Sequence, residues 1–345
     1  MLKELTMLNG VSGDEDRVRD FILSKIKDYV TELSVDTMGN IIAYKCGKKP
    51  TGKKVMVCAH IDEVGFIVSD ITDDGFIKFK TVGGVDERIL LTQRVIIHGR
   101  CGDVDGIIGI KAVHLQTADE RKKIIPMDSM YIDIGAKDKA DALTYVSKGD
   151  YICFNSPYRE LGVDSVKAKA IDDRVGCAII LNLVKKQYNE DIYFCFNTQE
   201  EVGLRGATIV ANKLGPDACF VLEATTASDT PYTDEHLKCT KLGQGPVLSI
   251  MDRASYSDKE LNKFVCSVAK RHNIDYQFKK TINGGNDAGA ISISGKGVKT
   301  CVISLPCRYI HSPVSMARKS DIDKMERLVD RILESIDEIN FENRR

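Results

Sequence analysis

Two glutamates, Glu200 and Glu201, stand side by side in NTQEEVGLRGA (197–207), directly after the run DIYFCF. A β-branched and aromatic run of that length reads as a short buried strand, and Gly203 and Gly206 read as a break in the chain beyond it. Unpaired charges cost several kcal/mol each in such a place, so something positive must meet them. Only Arg205 is basic nearby. Two of the six histidines keep acidic company. His60 closes an apolar run in CAHIDEVG, with Asp62 two residues on. Residues i and i+2 of a strand point the same way, so Asp62 is placed to hold the imidazole from behind, as outer carboxylates do for metal-bound histidines. His311 follows TCVISLPCR, in YIHSP. His98, His114, His236 and His272 lack such neighbours in sequence and read as surface or structural histidines. Further carboxylates fall at strand ends or helix starts: Asp172 and Asp173 in AIDDRVG, and Glu223 in CFVLEATTASDTP. Two histidines and several carboxylates from four loops are the donor set of a divalent transition-metal site. The plainer reading, helix caps and exposed turns, suits Asp173 and does not suit the adjacent pair Glu200–Glu201.

Elements that could bring these loops together are legible along the chain. Ser12 and Glu15 have the spacing of a capping box, followed by Val18, Phe21, Ile22, Ile26, Tyr29, Val30 and Leu33 at helical intervals. The runs NIIAYK and KVMVCAH read as strands. From about Phe66 to Val163 the texture changes to short alternating runs (GFIKFK, RVIIHG, GIIGIKAVHL, SMYIDIG, DYICF) broken by Gly and Asp, which predicts a small all-β unit, a compact barrel. After it, strand and helix patterns alternate: helix 173–186, strand 191–197, helix 205–213, strand 217–223, helix 258–272, strands 276–279 and 298–304. A last helix carries Ile322, Met325, Val329, Ile332 and Ile336 on one stripe. Such alternation predicts an α/β sandwich with its sheet covered on both faces, interrupted by the β unit: residues 1–66 and 163–345 form one domain and 67–162 the insert. In an α/β sheet the loops at the carboxyl edge are where ligands bind.

Composition narrows the function classes. The 345 residues are 43% hydrophobic and 29% charged, ordinary for a water-soluble globular chain, and the net charge of −1 gives no general attraction to nucleic acid or anionic membranes. The first twenty residues lack a continuous apolar core, which predicts no secretory signal, and no run of eighteen apolar residues predicts a spanning helix. The 11 cysteines are odd in number, mostly set in apolar runs, and form no Cys-x-x-Cys pair. They read as small buried hydrophobes in a reducing cytoplasm, not as a disulfide framework or zinc ribbon.

The succession AHIDEVGF, AIDDRVG, EEVGLRGA, LEATTASDTP, GGNDAGAI and YIHSP, in that order over nearly the whole chain, resembles the tetrahedral-complex (TET) dimetal aminopeptidases, the glutamyl aminopeptidases that also carry the label endoglucanase. The resemblance implies a zinc-peptidase-like three-layer α/β/α sandwich with an inserted barrel-like domain that drives assembly into dimers and hollow tetrahedral dodecamers. It implies peptide substrates and two divalent ions per subunit, of zinc, cobalt or manganese. It also implies metal ligands at His60, Asp172, Glu201, Glu223 and His311. Asp172 would bridge, Glu201 and His311 would complete one ion, and His60 and Glu223 the other. Glu200 matches the general base and Asp62 the support for His60, while Asn286 and Asp287 fall where the substrate pocket is expected. Three positions depart from the pattern. Glu223 stands where Asp is common, Ser315 stands where HSPVE would have Glu, and Asn286 replaces Thr or Ser.

These readings answer the question of the paired glutamates: one ligates while its neighbour, on a different bearing, takes the proton of the attacking water and delivers it to the leaving amine. A deacylase or carboxypeptidase with the same two metals stays open, because a fold does not fix a substrate. A glycosidase would need two carboxylates of separated pKa and no metal, leaving both histidines idle. A non-catalytic binding protein would have no use for Glu200.

Overall fold

The computed structural model describes residues 1–339. The chain opens with helices α1 (Leu2–Met7) and α2 (Asp16–Ile26), then strands β1 (Glu32–Val35), β2 (Ile41–Lys45) and β3 (Val55–His60). Strands β4 (Gly65–Ile71), β5 (Ile77–Val82), β6 (Arg94–Gly99), β7 (Gly102–Gly109), β8 (Tyr131–Asp133) and β9 (Tyr151–Phe154) follow, with the short helix α3 (Lys139–Tyr145) before the last. Next come β10 (Arg159–Leu161), β11 (Ser165–Ala168), α4 (Ile171–Leu183), β12 (Ile192–Asn197), α5 (Arg205–Leu214) and β13 (Ala218–Thr226). The chain continues through β14 (Val247–Ser249), α6 (Lys259–Arg271), β15 (Gln277–Phe278), α7 (Ala288–Ser292), β16 (Lys299–Cys307), β17 (Ser315–Arg318) and α8 (Lys319–Glu334).

Eight strands form the main sheet in the order β1-β2-β12-β3-β13-β16-β14-β15. Its centre, β12, β3, β13 and β16, is parallel, and the hairpin β1–β2 borders it antiparallel. Alternate residues of β3 serve opposite faces, as strand geometry requires. Val55, Val57 and Ala59 join a core with residues of α2, α4, α6 and α8, while Met56 and Cys58 join one with residues of α5 and α7. The three-layer α/β/α sandwich expected from the sequence is therefore present. Fully covered parallel strands read as continuous apolar runs, which is why KVMVCAH and DIYFCF carry almost no polar residues. On α8 the buried stripe runs through Met325, Val329 and Ile332, and Ile336 stays buried just beyond the helix end.

The inserted unit is a closed six-strand antiparallel barrel, β4-β5-β8-β7-β6-β9. It has its own core, in which Phe66 meets Phe79 and Phe154 edge to face at 5.2 and 5.3 Å. Its first and last strands pair, Phe66 opposite Ile152, so the chain leaves the sandwich and returns to it at neighbouring points. The strand β10 pairs with β11, which pairs with β17, in a separate three-stranded sheet.

Several local expectations need correction. The helical pattern does not run on to Leu33: α2 ends at Ile26, Tyr29 and Val30 lie beyond it, and Leu33 is in β1. The run GIIGIKAVHL is strand only as far as Gly109, and Val113–Leu115 turns as a short 3-10 segment. Ser12 and Glu15 do not form a capping box: no side chain caps α2, because both side chains bond elsewhere, Ser12 to Asp62 and Glu15 to the N–H of Gln199. His98 does have acidic company, since the fold brings Asp14 onto its Nδ1 and Asp103 to 3.7 Å of its Nε2, while Arg17 binds both oxygens of Asp103. These residues tie α2 and the loop before it to the barrel. Sequence neighbours gave no sign of them, because Asp14 lies 84 residues away from His98. The cysteines are free and mostly buried.

Candidate metal centre

The carboxyl ends of four parallel strands, together with the turn between β11 and α4, deliver the side chains. His60 is the last residue of β3 and pairs in register with Asn197, the last of β12, so the turn that follows β12 sets Glu200 and Glu201 beside it. Glu223 lies within β13, opposite Ser304 of β16, and His311 follows β16. Asp172 and Asp173 sit at the mouth of α4 with non-helical backbone. Asp173 accepts the N–H of Gly176 at 3.0 Å, the helix-cap role expected of it, although its carboxylate also comes within 4.8 Å of donor atoms of His60 and Glu223.

Asp172 stands between two half-sets. Its Oδ1 is 3.2 Å from His60 Nε2, which is 3.5 Å from Glu223 Oε1. Its Oδ2 is 3.6 Å from His311 Nε2, which is 3.4 Å from Glu201 Oε2. Ligands of a tetrahedral ion with bonds of about 2.0–2.1 Å lie about 3.3 Å apart along each edge. Each half-set has that spacing, so the donors present fit metal ions. Glu200 lies with His60 and Glu201 within 4.8 Å and lines the cavity without approaching either histidine as an ion pair.

The electrostatics point the same way. Burial pushes Glu200 and Glu223 well above the usual carboxylate range; His60 pulls both back, and a neighbouring carboxylate pushes each further up, Glu223 in the case of Glu200 and Asp172 in that of Glu223. Burial likewise lifts Glu201 to about 7, against the pull of His311. Burial lowers His60, yet Glu223, Asp172 and Asp62 outweigh it and hold the imidazole well above its ordinary value. Burial also lowers His311, but Asp172 and Glu201 raise it to about 9. Asp172 is desolvated, yet the two histidines hold it below the usual range. Too few cations stand among too many carboxylates, the condition that bound divalent ions relieve.

The supporting residues are equally specific. Asp62, fully buried, has Oδ1 3.3 Å from His60 Nδ1, an ion-pair distance without hydrogen-bond geometry, and it accepts the N–H groups of Glu200 (3.0 Å) and Glu201 (3.1 Å). The sequence pointed to the first contact and not to the other two. The carbonyl of Gly84, in the barrel, is 3.0 Å from His311 Nδ1 and so fixes which nitrogen faces the carboxylates. Its only sequence signal is the pair Gly83–Gly84. Gly83 has φ +79°, and a Cβ there would come within 2.8 Å of Val64. Ser315 is buried and donates to the carbonyl of Tyr309, bracing the turn that carries His311.

The centre opens into a cavity of about 590 Å³. Thr225, Thr226, Ser228 and Thr281 also line it, with Lys279, whose Nζ donates to the carbonyl of Asn283 at 2.8 Å. Asn286 lines it, with Nδ2 tied to Asp252 at 2.8 Å. Asp287 lies behind the wall, accepting from Asn197 Nδ2 at 2.8 Å, with burial lifting its carboxyl to about 6.

An α/β/α sandwich with this donor set at the carboxyl edge defines a metal-dependent hydrolase, and comparison with known proteins places the chain within that class. It belongs to the M42 glutamyl aminopeptidase family, whose sequence profile matches residues 39–328. A protein of Acetivibrio thermocellus named as an aminopeptidase is 41% identical, over 95% of this chain and 96% of its own length. The TET aminopeptidase from the marine sediment archaeon Thaumarchaeota archaeon SCGC AB-539-E09 is similar in structure with a TM-score of 0.93 and 35% identity, covering 96% of this chain and 94% of that one. The Pyrococcus horikoshii TET1 peptidase, described as assembling into a tetrahedron or a large octahedral shell, matches with a TM-score of 0.87 and 32% identity over 96% of this chain and 98% of that one. The chain is thus an enzyme of a metallopeptidase family.

Proposed function

We propose that this protein is an aminopeptidase that removes N-terminal residues from peptides, with two divalent ions held by His60, Asp172, Glu201, Glu223 and His311. The single observation that supports it most is Asp172, one carboxylate oxygen facing each histidine-centred half-set. Bound there, zinc, cobalt or manganese would supply Lewis acidity and bring the pKa of water towards neutrality. The chain's own residues do the rest. Glu200, half-buried on the cavity wall and without an ion-pair partner, accepts the proton of the water whose oxygen attacks the scissile carbonyl carbon. As the C–N bond breaks, the same carboxyl returns that proton to the leaving amine nitrogen. Asp62 keeps His60 oriented and holds the Glu200–Glu201 backbone at its working angle. Glu223, which lines the cavity, would receive the free α-amino group of the substrate together with one of the ions.

The reading includes assembly. The barrel, taken with its flanks as residues 67–162, is an assembly domain, and the protein forms homo-oligomers, dimers that build a tetrahedral dodecamer. The shell described for the Pyrococcus horikoshii peptidase supports this. No helix among the described residues is long and apolar enough to cross a membrane, and a cytoplasmic enzyme with free buried thiols fits the reading. The test is a panel of aminoacyl chromogenic amides, N-acylated amino acids and C-terminally labelled peptides, assayed on metal-stripped protein with each ion added back. Activity on free-amine amides alone, restored by zinc, cobalt or manganese, is expected. Full activity without metal overturns the reading, and preference for N-acyl or C-terminal substrates replaces it with a deacylase or carboxypeptidase.

A further inference from the structure

Ser12 and Glu15 have the spacing of a helix cap, and both turn away from the helix they precede. Ser12 Oγ donates to Asp62 Oδ2 at 2.6 Å. Asp62 then accepts the N–H groups of Glu200 and Glu201, and Glu15 Oε1 accepts the N–H of Gln199 at 3.2 Å. Three consecutive backbone donors of the turn that presents the paired glutamates therefore end on two carboxylates from elsewhere in the chain. Both carboxylates are buried, Glu15 at 5% exposure and Asp62 at 0%.

The turn needs such an anchor. Gln199 has φ +56° and Leu204 φ +58°, left-handed conformations that are unfavourable for residues with a Cβ and persist only where surroundings impose them. The anchoring loop is itself pinned. Ser12 N–H bonds the carbonyl of Glu63 at 3.3 Å, and Gly13, at φ +96°, lies so close to Tyr151 of the barrel that a Cβ would come within 2.5 Å of its hydroxyl. A helix cap could be satisfied by water at the surface. Two buried carboxylates on adjacent donors of one turn call for another purpose.

We propose that Ser12 and Glu15 are positioning residues for catalysis: they set the rotation of the 199–201 turn so that Glu200 faces the cavity while Glu201 faces His311. The inference rests on the reading of Glu200 as the proton carrier. Ser12 fixes Asp62, Asp62 fixes the two glutamate amides, and Glu15 fixes the amide before them. Loss of either anchor lets the turn rotate, and the base moves off the line of the attacking water, a displacement to which rates are steeply sensitive.

The experiment compares Ser12→Ala, Ser12→Thr, Glu15→Ala and Glu15→Gln in the metal-loaded, full-length enzyme, measuring kcat, KM, bound metal and melting temperature, each also in a Glu200→Gln background. Ser12→Ala and Glu15→Ala should each lower kcat about tenfold, with KM within about twofold and metal content unchanged. Ser12→Thr and Glu15→Gln keep a donor and an acceptor in place and should recover most of kcat. In the Glu200→Gln background, Ser12→Ala should add no further loss, because the group it positions is gone. Wild-type kcat in both alanine variants, or a fall that tracks lost metal or lost fold and is not rescued by the conservative variants, overturns the inference. If Glu200→Gln turns over normally, the reading of Glu200 is what has failed, whatever the anchors do.

Discussion

Two clusters of buried charge lie almost back to back in this molecule, and they are resolved in opposite ways. Behind the site, Glu63 accepts from Lys169 at 2.5 Å, from the N–H of Gly10 at 3.1 Å and, at 3.4 Å, from Arg174. Arg174, fully buried, also donates to the carbonyls of Ile61 (2.9 Å) and Leu5 (2.7 Å). The chain neutralises that carboxylate from its own residues, with one positive charge to spare. In front, Asp62, Asp172, Glu200, Glu201 and Glu223 are met by His60 and His311, and Lys279 on the same cavity wall is bonded to the carbonyl of Asn283. The sequence alternates between the two: His60 and Asp62 against Glu63, Asp172 against Lys169 and Arg174. A buried ion pair that closes on itself is architecture. A buried set of carboxylates left short of cations is a site that expects its positive charge from outside.

The largest effect should come from breaking the front cluster at its uncommitted member. Glu200→Gln keeps shape and removes the basic oxygen, so turnover should fall roughly 10²-fold or more, with metal content near the wild-type value. Glu201→Gln removes a ligand and should lose metal as well as rate. Elemental analysis beside steady-state kinetics separates them. A Glu200→Gln enzyme that works, or that sheds its metal as Glu201→Gln does, has the two roles reversed.

The second prediction sets the clusters against each other in stability. Arg174→Met leaves Glu63 paired with Lys169 but strips the buried carbonyls of Ile61 and Leu5 of their donor, and should destabilise the protein by about 2–4 kcal/mol in urea unfolding. Glu223→Gln, in metal-stripped protein, removes one of several crowded negative charges and should melt at the same temperature as the unsubstituted protein or higher. Comparable destabilisation by both would erase the distinction drawn here.

That contrast also explains how much of the molecule is legible in its sequence. Strand runs such as KVMVCAH, the amphipathic last helix and the barrel's short alternating segments are local patterns with a period, and they appear where expected except for the second half of GIIGIKAVHL, which leaves the strand after Gly109. The five proposed ligand positions are legible through family resemblance more than through spacing, since His60 and Asp172 are 112 residues apart and nothing local connects them. Backbone groups were invisible for a different reason. The Gly84 carbonyl on His311, and the amides of 199–201 on Asp62 and Glu15, carry no residue signature. The Ser12–Glu15 spacing did carry a signal, but a helix start and an anchor for a distant turn use the same residue types, and only the fold distinguishes them.

Glu15 supplies the smallest effect and the finest test of the comparison, because it sits beside Asp62 on the front side with no cation of its own. Burial lifts its carboxyl to about 7, with the charge of Asp62 adding to the rise against backbone N–H groups that lower it. In the unfolded chain the group titrates near the ordinary glutamate value of 4.5. Between these values the folded protein holds a proton that the unfolded chain has released, so stability falls as pH rises. The contribution is complete below about 4.5 and lost as pH passes through about 7, and a shift of that size corresponds to roughly 3 kcal/mol at most. Glu15→Gln stays neutral throughout and keeps an acceptor for Gln199. Urea unfolding of metal-stripped protein at several pH values should therefore show the variant gaining on the unsubstituted chain steadily from pH 5 to 7, with the difference level above about 8. Parallel curves would mean that Glu15 is neutralised in the fold, as Glu63 is, and belongs to the back cluster.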